Sequence, residues 1–324
     1  MKKCISIIIP IYNEEDCIVP LGKALKDLAD WIEQGNKYSA EVVLVDDGSY
    51  DKTWFGLMSL ALNDPRIRLI SLSRNFGQQI ALTCGYRMAS GDAVVCMDAD
   101  LQDPTEVVML LIAEWEKGAD IVYAIRETRE KDGLLKKTTA FLFYRLYQVI
   151  TSSHAPVDAG DFRLMSRRVV DAFNQFNETH RYIRGLVGCL GFKTALVKYH
   201  RGHRVGGHTK WSPVKMIVFA IDGIISSSMA PLRFIYICGF VGAIPFLAYL
   251  LFAVIAHYMF GRHLDTGWLS LILCSIGFGT LNLICLGIMG EYVGRLYEQA
   301  KNRPLYLIQE TFPARSEDRS RTCP

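Results

Sequence analysis

Two long apolar runs in the last third of the chain restrict its fold more than any other feature of the sequence. They cover residues 234–260 and 268–289 and contain almost no charged side chains. As a helix, each run is long enough to cross the hydrocarbon core of a bilayer, which is about 30 Å thick. A hairpin buried in a soluble protein is the alternative, but it would need the amphipathic pattern that these runs lack. The runs therefore predict a two-helix transmembrane hairpin.

The charges around this hairpin predict its orientation. Its flanks are basic, whereas the connection 261–267 carries one Arg and one Asp. The flanking basic residues are Arg233, Arg295, Lys301 and Arg303. Because Lys and Arg are enriched on the cytoplasmic side of membrane helices, both ends of the chain are expected in the cytoplasm. The preceding segment, 211–232, mixes apolar and polar residues and predicts interfacial amphipathic helices, with a helix packed on a soluble domain as the alternative.

Before residue 210, short β-branched runs alternate with longer helical patterns. The predicted strands are 5–9, 41–45, 67–72, 93–97 and 121–125, and the predicted helices between them are 15–31, 52–62, 78–89 and 104–117. Apolar strands between helices predict an α/β fold with a Rossmann-like, mostly parallel sheet covered on both faces. The run 5–11 is short and broken by Pro10, so we interpret it as a buried strand and not as a signal peptide.

Asp98-Ala99-Asp100 follows a predicted strand and places two carboxylates with one residue between them. Side chains two residues apart in an extended segment point to the same side, so the two carboxylates lie together. Ligands of parallel α/β sheets bind beyond the carboxyl ends of the strands. Paired carboxylates at such a position suit Mg²⁺ or Mn²⁺ beside a diphosphate, because the phosphates complete the shell of oxygen ligands. For an Asp-x-Asp pair taken alone, solvated loop carboxylates are the alternative.

Two further polar groups follow strands. Asp46 and Asp47 can accept hydrogen bonds from the base or ribose of a nucleotide or cap the helix that follows them, and both roles can hold together, one Asp for each. Asn13 and Glu14 carry the same capping alternative, whereas Tyr12 is an aromatic side chain placed to flank a nucleobase. With the polar groups at 74–77 and 126, five loops of this kind are predicted to share one edge of the sheet.

Overall composition excludes several classes of protein. The formal net charge is +3, and the chain shows neither a basic face nor a recognisable nucleic-acid-binding module, so no nucleic-acid partner is expected. No two of the nine cysteines have Cys-x-x-Cys spacing, which argues against a zinc site and a disulfide framework.

Five motifs read in order carry a family resemblance. They are Ile-Pro-Ile-Tyr-Asn-Glu at 9–14, Val-Asp-Asp-Gly-Ser at 45–49, Ser-Arg-Asn-Phe-Gly at 73–77, Asp-Ala-Asp-Leu-Gln-Asp-Pro at 98–104 and Gly-Asp-Phe-Arg-Leu at 160–164. Together they resemble the polyprenyl-phosphate glycosyltransferases of glycosyltransferase family 2, and within them the bactoprenol glucosyltransferases of O-antigen glucosylation. The resemblance runs from Ile5 to about residue 306.

This resemblance implies a role for particular residues. It implies metal ligands at Asp98, Asp100 and Gln102, and donor contacts at Pro10, Tyr12, Glu14, Asp47, Asp98, Ala99 and Arg126. It also implies a catalytic carboxylate at Asp161, and an arginine that binds the acceptor or the diphosphate at Arg204. Arg201 and Lys210 lie near Arg204 and are expected to meet the acceptor phosphate as well, although attraction to anionic lipid headgroups explains Lys210 nearly as well.

The implied organisation is a GT-A type catalytic domain at 1–210, interfacial helices at 211–232, transmembrane helices at 233–292 and a cytoplasmic tail at 293–324. The implied location is the bacterial inner membrane, with the catalytic domain in the cytoplasm. The implied reaction inverts the sugar and moves glucose from UDP-glucose to undecaprenyl phosphate. A flippase, a periplasmic glycosyltransferase and self-association are implied as partners.

A physical argument modifies the role of Asp161. A polyprenyl monophosphate has a second pKa near roughly 6, so at neutral pH it is mostly a dianion and needs no base. We therefore expect Asp161 to orient the acceptor or to stabilise positive charge on the sugar. Pairing of Asp161 with Arg163 or Arg181 in a purely structural role is the alternative.

Other functions remain alternatives at this stage. The same reaction with N-acetylglucosamine, mannose from GDP-mannose or a 4-amino-arabinose derivative fits the same motifs. A processive polysaccharide synthase would carry a Gln-x-x-Arg-Trp signature and more membrane helices, and neither is found in the sequence. A catalytically silent scaffold would have no need of every expected carboxylate.

Overall fold

The alternating apolar runs form the strands and helices of one eight-stranded sheet in a computed structural model of the chain. The structure describes residues 2–127, 159–200 and 267–313, with isolated positions between 225 and 255. The strands are β1 (Lys3–Ile11), β2 (Tyr38–Asp46), β3 (Ile67–Leu72), β4 (Ala93–Cys96), β5 (Ile121–Arg126), β6 (Ala159–Ser166), β7 (Thr194–Tyr199) and β8 (Ile308–Phe312). The helices are α1 (Ile18–Glu33), α2 (Thr53–Asn63), α3 (Gln78–Met88), α4 (Glu106–Glu116), α5 (Arg167–Asn174), α6 (Ile183–Cys189) and α7 (Trp268–Ala300).

The sheet is mixed but mostly parallel, with the strand order β7-β5-β6-β4-β1-β2-β3-β8. Strands β1 to β4 pair in parallel where they are neighbours, and β5 pairs in parallel with β7. The antiparallel strands are β6, between β4 and β5, and β8, at the edge beside β3. The predicted mostly parallel α/β sheet is confirmed, and β6, β7 and β8 are strands that the sequence pattern did not reveal.

Apolar side chains on both faces of the sheet form two layers of core. Alternate residues of β1 face opposite layers: Ile7 packs in the layer formed with α1, α2 and α4, and Ile8 packs in the layer formed with α3, α5 and α6. This alternation is the period of two that a strand imposes. Since β1 is buried at the centre of the sheet, the interpretation of 5–11 as a strand is confirmed.

One edge of the sheet collects the polar loops. Strands β1 to β5 run in the same direction, so their carboxyl ends meet at this edge. The antiparallel strand β6 begins here, β7 ends here with Tyr199 opposite Arg126, and β8 begins here with Ile308 opposite Leu72. Residues that are far apart in the sequence are therefore brought to a single rim.

The chain divides into two units, one formed by 1–219 with 304–324 and the other by 220–303. Within the second unit, α7 is a 33-residue helix whose described side chains are mostly exposed and apolar. Among the described residues, its portion Cys274–Ala300 is the one helix that is long and apolar enough to cross a membrane, by length and composition. The run 234–260 and the segment 211–232 lie outside the described residues apart from isolated positions. The hairpin and the interfacial helices therefore remain predictions.

Candidate active site

Three carboxylates follow β4 at the polar rim. Asp98 is partly exposed, whereas Asp100 and Asp103 are buried. The backbone turns sharply between them, because Leu101 has a φ of 54°. The Gln102 backbone N–H donates to Oδ1 of Asp100 over 3.2 Å, which closes the turn. This local geometry holds several carboxylates within one short loop.

Mutual repulsion makes this loop a favourable place for a cation. Burial, followed by the charges of Asp161, Asp103 and Asp100, raises the pKa of Asp98 to about 7. A divalent cation would relieve this repulsion, and carboxylate oxygens are the hard ligands that Mg²⁺ and Mn²⁺ prefer. In residues 2–127, 159–200 and 267–313, no three His, Cys, Asp or Glu residues form a complete metal cage. Asp98 and Asp100 would supply only part of the ligand shell of such a cation, and a diphosphate and water would supply the rest.

Asp161 lies on β6 as a buried carboxylate held by two arginines. Arg184 donates to both of its oxygens, Nε to Oδ1 and Nη2 to Oδ2, each over 3.0 Å. Arg163 Nη2 donates to Oδ1 over 3.0 Å, and this guanidinium is almost completely buried. Burial by itself would raise the pKa of Asp161, but Arg184 and then Arg163 outweigh burial and lower it below its usual value. Asp161 is therefore a permanently charged carboxylate at neutral pH.

Arg126 reaches the same rim through Tyr199. Its Nε donates to the Tyr199 hydroxyl over 3.3 Å, and this hydroxyl donates to Oδ1 of Asp103 over 2.5 Å. Burial, followed by the charge of Asp103, raises the pKa of Tyr199 to about 12, so the phenol keeps its proton. The guanidinium of Arg126 and the carboxylate loop are thus linked by one hydroxyl group.

Asp47 has a structural task at this rim. Its Oδ1 accepts from the Phe76 N–H and its Oδ2 from the Gly77 N–H, both over 2.8 Å. The side chain therefore holds the loop between β3 and α3 against the end of β2. Its predicted contact with a nucleotide remains a prediction, because carboxylate oxygens have further lone pairs.

Residues 12–14 are anchored to the loop after β2. The Asn13 N–H donates to Ser49 Oγ and the Glu14 N–H donates to Thr53 Oγ1, each over 2.9 Å. The Tyr12 ring lies edge-on to the Tyr50 ring, with 6.2 Å between the ring centroids, and Tyr50 is 84 % exposed. The two rings form an aromatic corner at the rim.

Gly48 is required where the loops after β2 and β3 touch. Its φ is +69°, and a Cβ at this position would lie 2.4 Å from the carbonyl carbon of Arg74. We expect Gly48→Ala to lower the free energy of unfolding by about 2–5 kcal/mol, from left-handed strain of about 1–2 kcal/mol plus overpacking of about 1–3 kcal/mol. Thermal and denaturant unfolding of the full chain in detergent measure this loss.

Gly35 supplies the matched control for this substitution. Its φ is +84°, but nothing lies within 4 Å of the Cβ that an alanine would add. Gly35→Ala should therefore show the left-handed strain of about 1–2 kcal/mol alone. Equal losses for the two variants would contradict the close approach of Gly48 to Arg74.

The structure brings most of the predicted site residues to one rim. They are Pro10, Tyr12, Glu14, Asp47, Asp98, Ala99, Asp100, Gln102, Arg126 and Asp161. Arg201, Arg204 and Lys210 lie outside the described residues. Sequence reasoning missed Arg184, because its partner Asp161 is 23 residues away and no local pattern relates them. The alternative pairing of Asp161 with Arg163 is observed, and Arg184 is a further partner of the same carboxylate.

Comparison with known proteins assigns this site to a class of enzyme. Residues 6–173 match the family model described as Glycosyl transferase family 2. An uncharacterised glycosyltransferase of Bacillus subtilis, YkcC, is 41 % identical over 95 % of this chain and 94 % of its own length. The bactoprenol glucosyl transferase of Shigella phage SfII is 40 % identical over 95 % of this chain and 98 % of its own length.

One solved structure is also similar to this chain. Glucosyl-3-phosphoglycerate synthase from Mycobacterium tuberculosis is 19 % identical, with a TM-score of 0.47, over 69 % of this chain and 78 % of that one. The rim of carboxylates on a mostly parallel sheet and the family match define a glycosyltransferase with a GT-A-like fold. The chain belongs to glycosyl transferase family 2.

Proposed function

We propose that the chain transfers glucose from UDP-glucose to a polyprenyl phosphate, with inversion at the sugar, to give a lipid-phosphate-linked glucose. The observation that carries this proposal is the convergence of Asp98, Asp161 and Arg126 at one rim of the sheet. The identity of 40 % to a bactoprenol glucosyl transferase over nearly the whole chain supports the choice of sugar and acceptor.

The carboxylate loop is the proposed site for the donor diphosphate. Asp98 and Asp100 would hold Mg²⁺ or Mn²⁺, and Gln102 closes the turn that presents them. When bound, the metal neutralises the charge that develops on the leaving diphosphate. Arg126 stands beside this loop with a guanidinium suited to the phosphates.

The nucleoside is proposed to lie along the ends of β1 and β2. Tyr12 offers an aromatic face or edge to the base, and its neighbour Tyr50 is exposed to solvent beside it. Pro10, Glu14 and Asp47 border the same region, where Asp47 also keeps the loop after β3 in place.

Asp161 is proposed to act as a fixed negative charge. The acceptor phosphate is already mostly a dianion at neutral pH, so attack on the sugar releases no proton that a base would have to accept. The two arginines keep Asp161 ionised, and a carboxylate of this kind stabilises positive charge that develops on the sugar ring. The chain's own chemistry in the transfer step is therefore orientation and electrostatic stabilisation.

The acceptor is proposed to enter beside the end of β7. The chain leaves the sheet at Tyr199, at the rim that carries the site, and continues toward Arg201, Arg204 and Lys210. These basic residues would bind the acceptor phosphate, and Arg204 would take part in catalysis with Asp161, as the family resemblance implies. Helices at 211–232 would lie in the membrane interface next to them.

The membrane arrangement is also proposed. A catalytic domain at 1–210 in the cytoplasm, a transmembrane hairpin within 233–292 and a tail at 293–324 would place the site at the inner leaflet of the bacterial inner membrane. The length and apolar surface of α7 support the second of the two predicted membrane helices. A flippase and a periplasmic glycosyltransferase would then use the lipid-linked product. Light scattering in detergent tests whether copies of the chain self-associate.

Transfer of labelled sugar into lipid tests the proposed function directly. Full-length protein in detergent is mixed with undecaprenyl phosphate, Mg²⁺ or Mn²⁺ and a labelled nucleotide-sugar, and organic extraction recovers the product. We expect label from UDP-glucose in the organic phase only when both metal and acceptor are present. Donors carrying N-acetylglucosamine, 4-amino-arabinose or mannose are the comparison, and a stronger signal from any of them would overturn the assignment of glucose.

A further inference from the structure

The guanidinium of Arg184 grips Asp161 in a geometry that neither a lysine nor a single hydrogen bond can reproduce. Its Nε and Nη2 donate to the two different oxygens of the carboxylate, both over 3.0 Å. Paired parallel bonds of this kind fix the plane of the carboxylate as well as its position. Arg184 lies near the start of α6, whereas Asp161 lies on β6, so the pair also joins two elements.

The second arginine at Asp161 has a different environment. Arg163 lies on the same strand, two residues further along, and its side chain is 1 % exposed. The side chain of Arg184 is 33 % exposed, so Arg184 is the member of the trio that solvent reaches. Arg163 therefore lies in the core beneath the site, whereas Arg184 lies at the surface of the site.

Two consecutive glutamines connect Arg184 to the carboxylate loop. At the start of α3, Gln79 Oε1 accepts from the Ile183 N–H over 3.0 Å, which fixes the first turn of α6 just before Arg184. The preceding residue, Gln78, donates from Nε2 to Oδ1 of Asp98 over 3.1 Å. The start of α3 thus sets the distance between the helix that carries Arg184 and the loop that carries Asp98.

Several charged or titratable groups surround Asp161. The carboxylate of Asp98 repels it, and Arg184 attracts both carboxylates. The groups that act on Asp161 or respond to its charge are Arg163 of β6, Arg184 of α6, Asp98 after β4, Cys96 of β4 and Tyr86 of α3. Burial raises the pKa of both Cys96 and Tyr86, which keeps them neutral, so the two arginines are the positive members of this set.

We propose that Arg184 is a positioning residue for sugar transfer, which holds the Asp161 carboxylate in one orientation and at a fixed separation from the Asp98 loop. This inference rests on the proposed function, because it gives Asp161 its part in that reaction. Arg184 acts through Asp161, and its contribution should therefore fall on kcat more than on the KM for the donor. A displaced carboxylate lowers catalysis steeply, since an error of about 1 Å in a reacting group can reduce the rate about 10²-fold.

Three variants of the full-length protein test this role. We expect Arg184→Ala to lower kcat about 10²-fold with little change in the donor KM, and Arg184→Lys to keep an intermediate rate because a lysine makes only single bonds. Added guanidinium ion should restore part of the rate of Arg184→Ala and leave Arg184→Lys unchanged. Without its bidentate partner, the pKa of Asp161 should rise, so Arg184→Ala should lose more rate than the wild type does as the pH falls.

Arg168→Ala is the matched control. Arg168 makes a bidentate pair with Asp120 through the same two nitrogens, but Asp120 precedes β5 at the opposite edge of the sheet. Arg168→Ala should therefore keep the wild-type kcat. An equal loss of rate in the control, a loss confined to the donor KM in Arg184→Ala, or an unchanged kcat in Arg184→Ala would each overturn the positioning role.

A second readout separates this proposal from the proposed function. Release of UDP from UDP-glucose is measured beside the transfer of label to undecaprenyl phosphate. If the wild-type protein releases UDP but labels no lipid, the acceptor assignment is wrong. The rates of the variants relative to the wild type are then still measured by UDP release. A wild-type protein that does neither overturns both proposals.

Discussion

Asp98→Asn is expected to lower kcat/KM for sugar transfer by about 10²–10³-fold, the loss typical of removing one preorganised charge-stabilising group from an active site. The charge that makes the loop after β4 favourable for a divalent cation comes from Asp98, Asp100, Asp103 and Asp161. Replacing Asp98 removes a proposed ligand and leaves the other carboxylates in place. Calorimetric titration of the full-length protein with UDP and Mn²⁺ measures binding, and the lipid-labelling assay measures rate.

Asp92→Asn is the control for this prediction. Asp92 comes just before β4, at the opposite end of the strand from Asp98, where its Oδ2 accepts from the Cys4 N–H over 2.7 Å. This variant should keep wild-type activity and metal-dependent UDP binding. Metal-dependent binding that survives in Asp98→Asn would show that the cation is held elsewhere.

Asp161→Asn is expected to lower the free energy of unfolding by about 3–5 kcal/mol, because it leaves the buried guanidinium of Arg163 without its counter-charge. The pKa of Asp161 is lowered in the folded chain, so this stabilisation is present above the unfolded pKa of about 3.9. It is lost as the pH falls through the folded pKa. The difference in stability between wild type and variant should therefore be full at neutral pH and shrink in acid below about pH 4.

Asp120→Asn is the stability control. Its partner Arg168 has a side chain that is 67 % exposed, so the loss of stability should be below about 1 kcal/mol.

In the activity assay, the loss of transfer rate caused by Asp161→Asn should be the same at mildly acidic and mildly alkaline pH if Asp161 acts as a fixed charge. A loss that disappears in alkali would indicate that Asp161 accepts a proton.

The parallel half of the fold was predictable because its strands are apolar throughout and separated by amphipathic helices. β3, for example, was predicted with the bounds that the structure shows, and α3 within one residue. The carboxylate loop was predictable for the same reason, since its position follows from the end of β4. In these segments, local pattern and tertiary environment agree.

The antiparallel strands were missed because their sequences do not show the apolar pattern of a buried strand or the neighbour with which each strand pairs. β6 carries Asp161 and Arg163 in the middle of a central strand, and such charges suggest a loop until their partners are known. β8 is five residues long and lies more than 230 residues from its neighbour β3 in the sequence. Pairing over such distances leaves no local signature, and the same is true of the contact between Arg184 and Asp161.

The task of Asp47 was also open in the sequence. Its place at the end of β2 suited a nucleotide ligand or a cap, and neither pattern pointed to the backbone of Phe76 and Gly77. A short carboxylate can hold a neighbouring loop and border a ligand at the same time. Pattern alone therefore located this residue correctly but could not assign its hydrogen bonds.

The pairing of β8 with β3 restricts how the chain can thread a membrane. The chain leaves the sheet after Tyr199 of β7 and re-enters it at Ile308 of β8, and one sheet cannot lie on both sides of a bilayer. The number of crossings between these residues must therefore be even. If α7 is one crossing, an even number requires a second one, and the apolar run 234–260 is the segment that the sequence predicts for it. A single-pass anchor is incompatible with this sheet, so the chain either crosses in pairs or does not cross at all.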